Sequence, residues 1–356
     1  MIDSKLSSKI LTIGPVAEPK GGISQTVVNY RDYVFSRFQN IEFNTARSKM
    51  SNLWAYVRSI PQLFWILLTR RSIRIVHIHT AAGITFIRVF FYWVMAKLFG
   101  KTTVMHIHAG SFKNYYLAHP RFVSFVLKRC TRVVALSQEW ADFFAGDVGL
   151  DNVQIINNVI APPELNLNRD HDKLHILFLG HLVETKGIFD LLDVAAEHAS
   201  ELRDKIELHV CGAKNEEKVK DVIAAGKMSD FVKFEGWVKG QKKTDLLNLC
   251  DVFILPSYIE GLPLSILESM SYKMAILSTN IGGIPGIVHH GHNGYLFTPG
   301  DKAAMLAYIL DYADHRSRVV QHGEASASAV SAFLPDAVSE SLVAMYSDIL
   351  HLERPQ

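Results

Sequence analysis

Two carboxylates stand eight residues apart in the run Leu255-Pro-Ser-Tyr-Ile-Glu-Gly-Leu-Pro-Leu-Ser-Ile-Leu-Glu268. The apolar residues ending at Leu255 read as a buried strand, and Pro263 suits the first turn of a helix. Glu260 then lies on the intervening loop and Glu268 slightly more than one turn into the helix. Both are placed near a helix N-terminus, where backbone N–H groups attract phosphate. Carboxylates there suit sugar hydroxyls rather than the phosphates themselves. A bare pair of glutamates at this spacing would more often be a turn residue and a solvated helix residue. The surrounding strand, Pro-Ser, Glu-Gly-Leu-Pro and helix reverse that judgement.

Four further runs have chemical potential. Phe178-Leu-Gly-His-Leu-Val-Glu-Thr-Lys-Gly187 reads as strand, loop and helix, with cationic Lys186 before a glycine. Pro19-Lys-Gly-Gly-Ile23 follows the first apolar run, and paired glycines let backbone amides approach a phosphate closely. It does not fit GxGxxG, which disfavours a nicotinamide dinucleotide. His106-Ile-His-Ala-Gly110 ends a strand, as do His77 and His79. Alternating histidines at two strand ends suggest a metal, but no Asp or Glu lies nearby in sequence, and a lone strand-end histidine is more often structural. Finally, Ser278-Thr-Asn-Ile-Gly-Gly-Ile-Pro285 and Gly291-His-Asn-Gly294 form a late glycine-rich stretch.

The elements that must position these residues alternate in kind. Apolar runs read as buried parallel strands at 10–16, 73–79, 103–108, 132–136 and 153–156, with helical patterns between them. Residues 166–173 are polar and irregular, a linker pattern. The alternation then restarts at 174–180, 206–211, 232–234, 252–255 and 275–278. Helices fall at 188–198 and 244–250. Two successive series of this kind imply two doubly wound parallel sheets, each with a ligand crevice at the carboxyl ends of its strands. The expected organisation is a first α/β domain over 1–165 and a second over 166–335. A last helix over 336–356, with Val338, Leu342, Met345 and Leu350 on its apolar side, packs back across the junction.

The chain has 356 residues, more than one core usually supports. Cys130, Cys211 and Cys250 are widely separated and form no CxxC pair, which argues against a disulfide framework or zinc site and fits a reducing cytoplasm. Residues 1–8 are too short and polar for a signal peptide. The apolar stretches 62–68 and 84–99 are too short, or interrupted by Arg88 and Lys97, to span a membrane. The net charge of +2 hides a strong asymmetry: residues 1–165 carry 19 basic and 9 acidic side chains, the remainder 18 and 26. From Phe43 to Gln138 there are 14 basic residues and no acid, together with Trp54, Trp65 and Trp93. A face so basic and aromatic calls for an anionic partner on the first half. Anionic lipid explains both features, whereas no nucleic-acid recognition motif is present.

Through these runs the chain resembles the retaining glycosyltransferases of family 4 over nearly its whole length. The resemblance implies the GT-B fold, two Rossmann-like domains facing a central cleft. It also implies glycosyl transfer from a nucleoside-diphosphate sugar as co-substrate, with no cofactor and no metal. It makes Glu260 the contact to the donor sugar and Glu268 the contact to the ribose, with the amides of Gly261 and Leu262 near the diphosphate. Lys186 matches the family lysine that holds the diphosphate. At the accompanying arginine the sequence has His181, which offers at most one charged donor, and only when protonated. Gly21 and Gly22 match the loop that reaches over the diphosphate from the first domain. His108 matches the His-x-Gly histidine beside the transferred sugar, and Phe234-Glu-Gly-Trp-Val238 the loop whose backbone meets the base. A glutamate usual after Pro285 is replaced by Gly286. The expected partners are a UDP-sugar in preference to GDP-mannose, a lipid-linked glycan acceptor and the cytoplasmic membrane face, with no nucleic acid. The rival readings are a sugar-nucleotide epimerase or phosphorylase of the same fold, and a non-catalytic donor- or membrane-binding subunit.

Overall fold

The structure, a computed structural model, describes residues 1–15, 22–43, 49–108 and 110–352. The chain forms two compact units. One runs to Ala161 and resumes at Ala332; the other is continuous over Pro162–Ser331.

In the first unit the strands are β1 (Ile10–Gly14), β2 (Asn40–Glu42), β3 (Ile75–Thr80), β4 (Thr102–Ile107), β5 (Arg132–Ala135) and β6 (Val153–Ile155). They form one parallel sheet in the order β2-β1-β3-β4-β5-β6. In the second unit β7 (Leu174–Leu179), β8 (Ile206–Cys211), β9 (Val232–Gly236), β10 (Val252–Leu255), β11 (Ala275–Thr279) and β12 (Gly294–Phe297) are also parallel, in the order β12-β11-β10-β7-β8-β9. The expected α/β class with two doubly wound sheets is therefore observed. Strands β2 and β12 add to the expected series: Asn40–Glu42 has a single apolar residue, and Gly294–Phe297 opens on the last glycine of a glycine-rich stretch, so neither shows an apolar run in the sequence.

Residues 166–173, read as polar and irregular, are anchored along the second unit. They make no strand or helix, but Arg169 donates to the carbonyls of Tyr272 (2.7 Å), Lys273 (2.8 Å) and Leu247 (3.2 Å). The backbone N–H of Asn166 donates to Asn248 Oδ1 at 2.7 Å. Polar composition signals solvent only when side chains lack partners; here one guanidinium fork satisfies three carbonyls and pins the segment to the second unit.

Alternation along β1, β3, β4 and β5 sends successive residues to opposite faces of the first sheet. On one face Leu11, Val76, Ile78, Met105 and Val133 pack against Leu63, Leu67, Phe86 and Val89. These come from the helices Lys49–Thr69 and Ile84–Leu98. On the other face Ile10, Ile75, Val104 and Val134 pack against Tyr30 and against Val338, Leu342, Met345, Tyr346 and Ile349 of the helix Pro335–Leu352.

The same alternation places His77, His79, His106 and His108 on that second face as a column of rings. His106 and His108 stack at 4.1 Å between centroids, His77 and His79 at 4.7 Å, and His79 and His106 at 4.9 Å. Their nitrogens pair: His79 Nδ1 with His108 Nε2 at 2.9 Å, His77 Nε2 with His106 Nδ1 at 3.1 Å, and His77 Nδ1 with the Tyr346 hydroxyl at 2.5 Å. Burial pushes all four rings below their ordinary range, His77 and His108 to about 3, so they are neutral in the folded protein.

On unfolding these rings regain an ordinary value near 6.5. Below that pH the unfolded chain binds more protons than the folded one, so the column's contribution is complete above about 6.5 and is lost as the pH falls toward about 3. Thermal unfolding of the wild type is therefore expected to occur at progressively lower temperature from about pH 7.5 to about pH 5. The slope should flatten in His106→Gln; an unchanged slope there would remove the column as its cause.

Candidate functional site

The second sheet reverses direction between β7 and β10. From β7 the chain steps outward to β8 and β9, then returns to the other side of β7 for β10, β11 and β12. Loops leaving the carboxyl ends of the two strands at such a reversal border a crevice. Here they are the loop from Gly180 to Gly187, after β7, and the loop from Pro256 to Pro263, after β10.

The two loops are locked together. Gly187 has φ +69°, and a Cβ there would lie 2.0 Å from the Pro256 carbonyl oxygen. Only glycine permits that approach. The Tyr258 N–H donates to the Thr185 carbonyl at 2.9 Å. A third loop closes on the second in the same way: Gly282 has φ +52°, with space for a Cβ blocked 2.2 Å away by the Glu260 carbonyl oxygen. The Gly283 N–H donates to the Gly261 carbonyl at 2.6 Å, and Thr279 Oγ1 donates to the Ser257 carbonyl at 2.6 Å.

This scaffold brings Lys186 and Glu260 into contact across 74 residues of sequence, Nζ to Oε1 at 2.5 Å. Ser257 Oγ donates to the same oxygen at 2.7 Å. The Glu260 carboxylate is only 8% exposed and the Lys186 side chain 25%, so the pair is largely removed from water while its ammonium remains reachable. Gly261 and the buried Leu262 follow at once and lead into the helix Leu264–Ser271. Pro263 is its N-cap rather than a residue of the first turn, because its ψ of 121° is extended. Glu268 lies within this helix and meets Lys243 Nζ at 2.7 Å.

His181 sits beside this centre. Its ring is stacked on Trp237 with 22° between planes and centroids 6.2 Å apart. Val238, next in sequence, is buried. Burial first, then the charges of Lys214 and Lys186, hold the His181 imidazole below its ordinary range, with a hydrogen bond to the Ala213 backbone opposing them. The side chain is thus neutral at neutral pH and lacks the permanent charge of an arginine. Its Nδ1 is buried without a hydrogen-bond partner among the described residues.

Of the residues nominated from sequence, Lys186, Glu260, Gly261 and Leu262 share the two abutting loops of the second unit. His181 lies on the first of these loops, Val238 lies beyond the end of β9, two strands from β7, and Glu268 belongs to the helix that follows the second loop. Gly22 begins the helix Gly22–Asn29 in the first unit and is exposed, and Gly21 lies outside the described residues. His108 follows β4 directly, half-buried on the histidine column. A side chain at Gly286 would meet nothing within 4 Å, so lack of space does not explain the absent glutamate.

Three participants escaped the sequence reading. Ser257 lay inside a quoted run but carried no signal of its own. Lys243, 25 residues from Glu268, opens a helix after Gly240 and looked like an ordinary solvated cation. Lys214 adopts φ +73°, next to Asn215 at φ +49°, on the loop that abuts residues 180–182. There the Leu182 N–H donates to the Ala213 carbonyl at 2.9 Å, and Asn215 Nδ2 donates to the Leu182 carbonyl at 2.8 Å.

Residues 165–327, nearly all of the second unit, match the family described as Glycosyl transferases group 1. The amylovoran biosynthesis glycosyltransferase AmsK of Erwinia amylovora is 30% identical over 183 residues, 48% of this chain and 44% of that protein. The D-inositol 3-phosphate glycosyltransferase of Streptomyces coelicolor is 27% identical over 199 residues, 53% of this chain and 44% of that protein. The chain thus spans less than half the length of either relative. Among solved structures, Anabaena HepE in complex with UDP superimposes with a TM-score of 0.74 at 15% identity, covering 96% of this chain and 100% of that one. Sucrose-phosphate synthase from Thermosynechococcus elongatus gives 0.76 at 16% identity, covering 97% and 99%. The fold is that of these GT-B neighbours, and the matches support a transferase of the glycosyltransferase kind.

The interlocking of the loops yields a direct test. Gly187→Ala is expected to cost at least about 2 kcal/mol, because it combines a left-handed backbone with a clash against a carbonyl. Gly22→Ala, with nothing within 4 Å of the added methyl, should change stability by less than about 0.5 kcal/mol. Equal denaturation midpoints for the two variants would show that the Gly187–Pro256 approach is dispensable.

Proposed function

We propose that the chain transfers a glycosyl unit from a nucleoside-diphosphate sugar, a UDP-sugar in preference to GDP-mannose, to a glycan hydroxyl in polysaccharide or lipopolysaccharide assembly. The observation that carries this reading is the Lys186–Glu260 pair, held on two interlocked loops at the reversal point of a parallel sheet, beside a helix N-terminus. The difficult step in such a transfer is the departure of a diphosphate. Cations and amides already in place stabilise that charge as it develops, without reorganising. Lys186 and the amides of Gly261 and Leu262 take this part in the second unit.

Glu260, with Lys186 and Ser257 both on Oε1, is anchored so that its other oxygen accepts a donor-sugar hydroxyl. Glu268 takes the ribose, and the loop ending at Trp237 and Val238 takes the base. His181 adds a neutral hydrogen bond, and exposed Lys214 beside it supplies the charge that a histidine lacks. In the first unit His108 is assigned to the transferred sugar. The reaction proceeds with retention of anomeric configuration, and the protein's own cations do the work of a metal at the diphosphate.

The acceptor is a lipid-diphosphate-linked glycan, met at the cytoplasmic face of an anionic membrane to which the first unit attaches peripherally. The helix Lys49–Thr69 supports this attachment. It buries Leu63 and Leu67 but turns Leu53, Trp54, Val57, Phe64, Trp65 and Leu68 outward, with Trp54 68% exposed. The adjoining helix Ile84–Leu98 likewise exposes Ile84, Ile87, Phe91 and Leu98. Exposed Arg58, Arg70, Arg71 and Lys97 accompany them. An outward apolar stripe with tryptophans and arginines matches a helix lying in the headgroup layer. Among the described residues no helix is long and apolar enough to cross a membrane.

Purified protein offered UDP-, GDP- and ADP-sugars without added metal is expected to release nucleoside diphosphate slowly from one of them. Lys186→Ala should lower the rate about 10²-fold or more, the loss typical of removing one preorganised charge-stabilising donor. No release from any donor, with a membrane extract also supplied, would reject the reading in favour of a non-catalytic binding subunit.

The attachment has its own test. The protein should float with vesicles rich in anionic lipid at low salt, and the Trp54→Ala, Trp65→Ala double variant should not. Wild-type protein remaining with the soluble fraction would rule the surface out.

A further inference from the structure

Along the amino-terminal half of β7 and the middle of β8, three side chains that play no part in the donor site converge on one face. His175 is the second residue of β7, and Glu207 and His209 lie on β8. The pairing of His175 with Glu207 and of Leu177 with His209 puts all three on the same side. His175 Nδ1 stands 3.1 Å from His209 Nε2, and Glu207 Oε1 stands 3.3 Å from that same nitrogen. Ligand atoms bound tetrahedrally to one zinc ion at about 2.0–2.2 Å are roughly 3.3–3.5 Å from one another. We propose that His175, Glu207 and His209 form a binding site for a divalent transition ion of the zinc class, with water in the remaining position.

The groups behind these three strengthen the assignment. His209 Nδ1 faces Glu235 Oε1 at 3.2 Å, and Lys242 Nζ holds the other oxygen of Glu235 at 2.9 Å. A carboxylate on one ring nitrogen fixes the proton there and leaves the other nitrogen with its lone pair bare, the arrangement that orients metal-binding histidines. Glu235 behind Nδ1 orients the His209 ring so that Nε2 faces Glu207 Oε1, and His175 Nδ1 points at the same place. A proton on Nε2 serves one of these two neighbours well; a cation among the three serves all of them. His175 is itself neutral, held down to about 3 chiefly by burial and then by the adjacent histidines and basic residues. Of those, Arg316 is engaged by Asp251 at 3.2 Å.

Access also favours this place. His209 is almost completely buried, but Glu207 retains 26% of its side-chain exposure, which gives an ion an approach. Among the described residues one other triad brings ligand atoms comparably close, His77, His79 and His106. Those rings are fully buried and carry no carboxylate; His79 Nε2 and His106 Nε2 have no hydrogen-bond partner among the described residues, but the triad offers an ion no exposed approach. An ion at the β7–β8 triad would tie together two neighbouring strands, one of which leads into the loop bearing His181 and Lys186.

The test uses the full chain, stripped with a chelator and titrated with zinc chloride by calorimetry. One equivalent is expected to bind and raise the unfolding temperature, and zinc X-ray absorption should show two imidazoles with oxygen ligands. His175→Gln and Glu207→Gln, both at partly exposed positions, should each weaken binding tenfold or more, and Glu235→Gln by 10- to 100-fold, as for outer partners of metal-bound histidines. Release of nucleoside diphosphate by His175→Gln should match the wild type without metal, which separates this site from the donor site. Absence of one-equivalent binding would show that a proton alone bridges the triad and overturn the proposal. Binding unchanged in both variants but lost in His79→Gln would overturn it in favour of the buried triad.

Discussion

The geometry of the second unit rests on the near-contact between the backbone of residue 187 and the carbonyl of Pro256, where no Cβ fits. A parallel sheet must send its chain across a face between strands, so loops from β7 and β10 arrive at the same edge from opposite sides. Without a close lock they would be two independent surface loops. With it, Lys186 and Glu260, far apart in sequence, become one charged pair with a shared hydroxyl partner. The second lock, at Gly282, extends the arrangement to the loop after β11. Removing one partner of a largely buried pair leaves the other charge stranded, so the assembly tolerates little change in any single member.

The large pattern was legible because its signals are long and repeated. Ten apolar runs in two series could hardly be anything but parallel strands with crossovers, and the run containing Glu260 carried its own strand, loop and helix. What escaped was short or relational. β2 is Asn-Ile-Glu, with one apolar residue, and β12 opens on a glycine inside a glycine-rich stretch, so neither shows an apolar run. Arg169 looked like a linker residue because its three carbonyl partners come from distant segments. The helix Lys49–Thr69 has apolar residues on both sides, and periodicity alone does not reveal that one apolar side faces outward. Lys243 and Ser257 are common residue types whose partners only folding supplies.

Histidine illustrates how context decides chemistry. The sequence offered His181 as a conditional cation, and its burial beside two lysines makes it neutral instead. The four histidines of the first sheet, which resembled a metal motif by spacing, stack in a column and pair through His77 with His106, His79 with His108 and His77 with Tyr346, out of reach of solvent at His77, His79 and His106. Those of the second sheet attracted no notice in the sequence, because His175 and His209 are 34 residues apart and Glu207 belongs to an ordinary alternating strand. Parallel pairing, rather than spacing along the chain, brought them together.

The first unit is interrupted by the whole of the second, and its sheet is covered on one face by Val338, Leu342, Met345, Tyr346 and Ile349. On the ribosome, every residue of the second unit therefore emerges before the helix that completes the first. The usual order, in which the amino-terminal domain matures while the rest is still being made, is inverted here. The continuous unit is complete first, and β1, β3 and β4 wait with only Ile2, Tyr30, Val34, Phe35 and their neighbours on that face until the chain returns.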